Sequence, residues 1–273
     1  MGFTAPLFAR HDLSAARRIL LAGDIHGTLD PLVSALDEAE YDETKGDRLI
    51  LLGDILDRGP LVLEIYDWLQ RHPQTLLVRG NHDDLLIKSC GLEPHSIYAN
   101  PYNFMRNGGT WITQFVDGAE TNQDAFQILS RGQDLDRLID ARILAFARFL
   151  AQSPVAIEAR TPGGSTIGLV HGDVPLSSWK AFRRELEAGS VAVAFDAMWQ
   201  RDRFETAKAS RVKKRETANI AIRGIDHVYF GHSITQTVMT CENATWIDTG
   251  AYRTGQLALV DPDQIASLVS EAA

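Results

Sequence analysis

The chain has 273 residues, of which 45% are hydrophobic and 23% charged, and a formal net charge of -9. That is the composition of an ordinary globular protein, long enough for one large α/β domain or two small ones. The acidic balance argues against a nucleic-acid partner held through a general basic surface, and no apolar run approaches the ~20 residues of a membrane span.

In chain order the pattern alternates strand and helix. Residues 19–22, 49–52 and 76–78 are apolar runs, each closed by glycine and a polar residue, which reads as buried parallel strands ending in tight loops. Asp30-Pro31 opens a helix after the first run, with Asp30 as its cap and Leu32, Leu36 and Ala39 as its apolar stripe. Residues 61–72 form a second helix with Leu63, Trp68 and Leu69 toward the core, stopped near Pro73, and residues 83–90 start a third. Such alternation predicts a parallel sheet with crossover helices. Residues 91–109 read as loop and 135–152 as one long helix. Residues 154–158 and 166–170 are strands joined by a turn around Pro162-Gly163-Gly164, and 178–187 is helical. Residues 228–230, 245–248 and 257–260 close a second sheet. No repeat or low-complexity tract stands out.

The ends of the first three runs carry the chemistry: Gly23-Asp24-Ile25-His26-Gly27, Gly53-Asp54-Ile55-Leu56-Asp57-Arg58-Gly59 and Gly80-Asn81-His82-Asp83. One Gly-Asp after a strand is usually a turn. Three in order should meet beyond the carboxyl ends of one sheet, where ligands bind. Carboxylates with imidazoles suit divalent transition ions, and a carboxylate can bridge a pair of them. Arg58 offers a fork matched to phosphate oxygens. Asp57 and His82 can form an oriented acid pair. The motifs, extended by two later ones, run from Asp24 to His232, so residues 1–273 are expected to make a single domain.

These clusters resemble the phosphoprotein phosphatase branch of the calcineurin-like metallophosphoesterases. The family pattern is Gly-Asp-x-His-Gly, Gly-Asp-x-x-Asp-Arg-Gly and Gly-Asn-His-Glu/Asp, followed by His171 after a strand and Gly231-His232-Ser233 near the usual Gly-His-Thr. Trp199-Gln200-Arg201-Asp202-Arg203 and Ile247-Asp248-Thr249-Gly250-Ala251 resemble stretches of the bacterial and phage lambda-type serine/threonine protein phosphatases. The likeness runs over residues 19–260 and is weak between 110 and 153.

It implies a four-layer α/β/β/α sandwich with a dinuclear metal site at the sheet edges. By the resemblance, Asp24, His26 and Asp54 hold one ion, and Asp54, Asn81, His171 and His232 the other. His82 is the proton donor oriented by Asp57, and Arg58 and Arg201 clamp the phosphate. The cofactors are two divalent ions, manganese first, with iron or zinc as alternatives. The reaction is hydrolysis of a phosphomonoester by metal-activated hydroxide without a phosphoenzyme, on a phosphorylated protein or a small phosphoester. A sister group hydrolyses dinucleoside tetraphosphates. Its bacterial members often lack the acidic residue before Arg-Gly, which is present here as Asp57. A non-catalytic metal-binding scaffold is the third reading, which a lost ligand or a lost His82-Asp57 pair would favour. The sequence departs from the pattern at Ser233, and at Ile234 where many superfamily members carry a second histidine.

Other residues read more plainly. Cys90 and Cys241 suggest free thiols, and His11, His72, His95 and His227 surface or structural roles. The basic stretch 201–223 reads as a solvated face, or as a guide for an acidic substrate with Arg201 on the phosphate. Tyr252 and Arg253 follow the last strand motif; the resemblance brings this loop near the active site, where a Tyr and an Arg could touch substrate, although loop aromatics more often serve packing, and neither is counted among the site residues. No signal-peptide pattern precedes Gly23, so a cytoplasmic location is the default expectation.

Overall fold

The structure is a computed structural model in which residues 5–213 and 220–265 are described, the last three before the interruption by their backbone alone. The strands are β1 (Phe8–Asp12), β2 (Arg18–Ala22), β3 (Asp47–Leu51), β4 (Leu76–Leu77), β5 (Ala156–Arg160), β6 (Thr166–Val170), β7 (His227–Phe230), β8 (Met239–Cys241), β9 (Ala244–Trp246) and β10 (Leu259–Val260). The α-helices are α1 (Leu29–Glu38), α2 (Val62–Arg71), α3 (Asn81–Ser89), α4 (Pro101–Arg106), α5 (Asn122–Arg131), α6 (Leu135–Leu138), α7 (Ala141–Leu150), α8 (Trp179–Glu187), α9 (Val191–Trp199), α10 (Asp202–Lys213) and α11 (Ala251–Thr254).

One sheet has the order β10-β2-β3-β4, the other β1-β5-β6-β7-β9-β8. β2, β3 and β4 are parallel, as the apolar runs predict. Strand alternation builds three apolar layers. Ile19, Leu21, Ile50 and Leu52 face Ile157, Ile167, Leu169 and Tyr229 between the sheets. Leu20, Ala22, Leu49 and Leu51 face outward into a core shared with α1, α2, α3 and α7. Val170, Val228 and Phe230 pack outward with residues of α8, α9 and α10. The fold is therefore the expected α/β/β/α sandwich, with the central strands β2 and β3 apolar on both faces.

Several expectations need correction. Asp30 is not the cap of α1: Thr28 holds that position, and Asp30 lies in the first turn. The third helix begins at Asn81, so Asn81 and His82 are helical. Residues 91–109 are not all loop, since α4 lies there. The helix read over 135–152 is two helices. Ile139 leaves the helix to bridge Val116, and the Asp140 carboxylate then caps α7 by accepting the Arg142 N–H at 2.7 Å. β10 does not close the second sheet; it pairs antiparallel with β2 in the first. The basic stretch forms α10 up to Lys213, while Lys214 and Arg215 lie outside the described residues. Cys90 is buried and Cys241 half-buried, and neither is in a disulfide. Among the described residues no helix is long and apolar enough to cross a membrane.

Candidate metal-dependent active site

Five loops that leave the carboxyl ends of strands supply the site. They follow β2 (Asp24, His26), β3 (Asp54, Asp57, Arg58), β4 (Asn81, His82), β6 (His171) and β7 (His232). Three of these strands belong to one sheet and two to the other, so the site lies where the sheet edges face each other.

The loops nearly touch. A Cβ on Gly80 would lie 2.3 Å from the Asp54 amide nitrogen, and one on Gly53, at φ +92°, 2.8 Å from His171 Nδ1. Only glycine allows both approaches. His26, Asp54, Asp57, Arg58 and His232 also have positive φ, five of eight such non-glycine residues among those described. Backbone of this kind persists where the surroundings over-determine it. Asp83 does so here, although no role was expected of it. Its carboxylate accepts the N–H groups of Gly80 at 2.8 Å, Asp54 at 3.0 Å and Ile55 at 3.1 Å. Burial, with Asp54 adding to it, pushes Asp83 up to about 6.

His26 donates Nδ1–H to the Leu56 carbonyl at 3.0 Å, which turns Nε2 toward Asp54 Oδ2 at 3.5 Å and Asp24 Oδ2 at 3.7 Å. That Nε2 is buried without a hydrogen-bond partner. Burial pushes the imidazole down to about 3, so it is neutral and offers a lone pair. His171 donates Nδ1–H to the Leu52 carbonyl at 2.6 Å, and its Nε2 lies 3.1 Å from Asn81 Oδ1 and 3.2 Å from Asp54 Oδ1. A ring nitrogen facing two oxygen acceptors needs a cation between them, a proton or a metal ion. Burial lowers His171, but Asp54 and Asp24 outweigh it and raise it to about 9. His232 gives Nε2–H to the Trp199 carbonyl at 3.1 Å, and burial, then His171, holds the ring well below its usual range. Its amide N–H donates to Asp24 Oδ1 at 2.8 Å. Burial, then the neighbouring Asp248, raises Asp24 well above the usual carboxylate range.

Two groups emerge whose ligand atoms lie within 4.8 Å of one another: His26, Asp54 and His82, and Asp54, His171 and His232. Asp54 belongs to both. Neutral imidazoles, carboxylates and an amide oxygen fit divalent first-row ions, and the unpartnered His26 Nε2 fits such an ion as its missing partner.

His82, a member of the first group, also has Nδ1 2.6 Å from Asp57 Oδ2, and Asp57 Oδ1 accepts the Trp111 indole N–H at 2.7 Å. Arg58 Nη2 is 2.9 Å from His82 Nε2. Arg201 donates from Nη2 to the His232 carbonyl at 3.0 Å. Arg203 is turned elsewhere: it binds the buried Asp173 through N–H at 2.9 Å and Nε at 3.1 Å, and the Val174 carbonyl at 2.8 Å. The sequence-predicted residues Asp24, His26, Asp54, Asp57, Arg58, Asn81, His82, His171, Arg201 and His232 thus share one neighbourhood. Missed were Asp83, Trp111, Tyr252 and Asp248. Asp83 was legible as the third residue of a helix that reaches back to its cap. Asp248 ends a strand motif, and its Oδ1 accepts the Gly250 N–H at 2.8 Å. Nothing in sequence links Trp111 to Asp57.

Two ligand groups sharing one carboxylate, set between stacked sheet edges, define a metal-dependent hydrolase of phosphate esters. The chain belongs to the calcineurin-like phosphoesterase family, whose sequence model matches residues 17–236. It is similar to serine/threonine-protein phosphatase 1 of Salmonella typhimurium, 27% identical over 253 residues, which is 93% of this chain and 95% of that relative. Serine/threonine-protein phosphatase 2 of Escherichia coli is 25% identical, covering 89% of this chain and 91% of the relative. The symmetrical bis(5'-nucleosyl)-tetraphosphatase of Coxiella burnetii is 40% identical, but over 88 residues, 32% of this chain and 30% of the relative. Among solved structures, a protein serine/threonine phosphatase from Saccharomyces cerevisiae shares the fold with TM-score 0.53 at 13% identity, over 94% of this chain and 78% of that one.

Proposed function

We propose that this chain hydrolyses phosphoserine and phosphothreonine esters in proteins, using two divalent ions held by Asp24, His26, Asp54, Asn81, His171 and His232, with manganese the preferred metal. The observation that carries the reading is the His82-Asp57 contact of 2.6 Å at the edge of two groups that share Asp54, His82 itself lying within reach of the first. The preference for protein substrates is supported by the serine/threonine phosphatase relatives, which align over nearly the whole chain. Because both sheets contribute ligands, residues 1–273 are best taken as one domain.

Bound there, the ions would supply Lewis acidity toward the phosphoryl oxygens and acidify water at neutral pH. The chain supplies the rest. Leu56, Leu52 and Trp199 carbonyls fix the three imidazole ligands in the tautomers that point lone pairs inward. Asp57 holds His82 through Nδ1, which aims Nε2 at the place of the leaving oxygen, where it can deliver a proton. Trp111 keeps Asp57 turned toward His82. In the free protein Arg58 donates toward His82 Nε2. Substrate must draw that guanidinium onto a phosphoryl oxygen, which frees Nε2 to carry a proton. Arg201, anchored on the His232 carbonyl, neutralises a second oxygen as charge builds.

The short, more identical match to the tetraphosphatase favours a second reading, hydrolysis of a dinucleoside tetraphosphate. Specificity constants of manganese-loaded protein for an aryl phosphate, a phosphopeptide and diadenosine tetraphosphate separate the two. The phosphopeptide is expected to exceed the dinucleotide; the reverse order would replace the substrate and leave the site assignment standing.

A further inference from the structure

Tyr252 lies in α11, between Gly250 at φ 68° and Gly255 at φ 70°. Both left-handed glycines bend the chain back on itself, and the Gly250 N–H is tied to the buried Asp248. The half-buried Tyr252 ring is thereby presented to the site. It meets the His26 ring in a T-shaped contact, with centroids 5.1 Å apart and 77° between the planes. The Arg58 guanidinium carbon lies 4.8 Å from its centroid, and that of Arg253 5.0 Å. Arg58 itself is exposed, leaves the chain at φ 69° and ends on His82 Nε2. A long arginine on an exposed loop loses rotamer freedom when it grips a phosphate. An aromatic face beneath the guanidinium removes part of that cost beforehand.

We propose that Tyr252 is a positioning residue: its ring, keyed against His26, holds the Arg58 guanidinium between His82 and the place of the substrate phosphate. The proposal rests on the reading of Arg58 as a phosphate clamp. It requires the π face and not the hydroxyl, so phenylalanine should serve and leucine or alanine should not.

The test is a double-mutant cycle on manganese-loaded protein, read by the inhibition constant of inorganic phosphate, by KM and kcat for an aryl phosphate, and by metal content and thermal midpoint. Tyr252→Ala and Tyr252→Leu should raise the phosphate constant and KM together by roughly two- to fivefold, as expected for an exposed cation–π contact. Metal content should stay unchanged, and Tyr252→Phe should stay within twofold of the parent. With Arg58→Ala already present, Tyr252→Ala should add nothing. Equal rises in both backgrounds, or a Tyr252→Phe variant as impaired as Tyr252→Ala, would overturn the positioning role while Arg58 remained the clamp. An Arg58→Ala variant with an unaltered phosphate constant would instead overturn the clamp and this proposal with it.

Discussion

At the scale of single residues the site divides into groups that offer lone pairs and groups that offer protons. His26, His171 and His232 each spend one ring nitrogen on a backbone carbonyl and turn the other inward. His82 differs: one nitrogen meets a carboxylate and the other an arginine. We therefore expect His82→Asn to keep its metals and lose about 10²–10⁴ in rate, the usual worth of acid catalysis. The loss should shrink for aryl phosphates, whose leaving groups need little protonation. Equal losses for aryl and alkyl esters would remove the acid role. Trp111→Phe, which deletes the second partner of Asp57, should lower kcat by a smaller factor and leave the phosphate inhibition constant alone.

The arginines make a further contrast at this scale. Arg201 and Arg203 are two residues apart, yet only Arg201 reaches a metal-site residue; Arg203 is committed to Asp173 and to carbonyls. Arg201→Lys should raise KM and the phosphate inhibition constant in parallel with metal content intact, since lysine lacks the planar fork. Arg203→Lys should act mainly through the thermal midpoint. Activity kinetics beside thermal melts of the two variants would expose a reversed assignment at once. The candidate ligands were legible because each sits in a short motif closing a strand. For Tyr252 the sequence offered only a loop near the site, and for Asp248 only a motif, because the partners that define their roles come from chain segments far away in sequence.

At the scale of elements, the sequence was readable where one strand or helix decides its own pattern and unreadable where tertiary contact overrides it. β2 and β3 are apolar on both faces and could hardly be anything but buried parallel strands. The interval 135–152 has apolar residues at helical spacing throughout, but the Ile139 bridge to Val116 breaks it, which no local rule anticipates. β10 is two residues long, and its sheet was set by partner and not by pattern. The amino end of β3 shows a different device. The buried Asp47 carboxylate meets Arg17 Nε at 2.6 Å, Arg18 Nη2 at 3.0 Å and the Asp42 N–H at 2.9 Å. Burial alone would raise its pKa, but the two arginines and the amide prevail and hold it well below the usual 3.8. A depressed carboxylate stabilises the fold above the unfolded pKa and loses that contribution as pH falls through the folded value. Asp47→Asn should therefore cost about 1–3 kcal/mol at pH 7, where partly exposed arginines screen the pair. The gap between parent and variant in urea midpoint should narrow below pH 4, measured against the unfolded value of 3.8. A gap independent of pH would mean that packing, not charge, is lost.

At the scale of the whole molecule, two sheets bring carboxylates together with little of their surface exposed. Asp24, Asp54, Asp57, Asp83 and Asp248 are each at most 2% exposed. Buried like charges oppose folding unless cations accompany them. Packing these carboxylates side by side thus makes the metal-free fold carry a cost that bound ions would relieve, and function and stability pull against each other at the same residues. Asp24 is the sharpest instance, raised by burial and by Asp248 while holding the His232 amide. A carboxylate raised in the folded state opposes folding as pH climbs past its unfolded pKa, because the folded chain holds the proton more tightly than the unfolded chain does. Asp24→Asn keeps an oxygen for the His232 N–H and removes the charge. In metal-free protein its thermal midpoint should equal or exceed that of the parent. With manganese added, the parent should rise with metal concentration as a ligand-linked equilibrium does, and the variant should rise less at every concentration. A variant that melts lower than the parent without metal, yet gains the full increment with it, would show that Asp24 stabilises the sheet edges and is not a ligand.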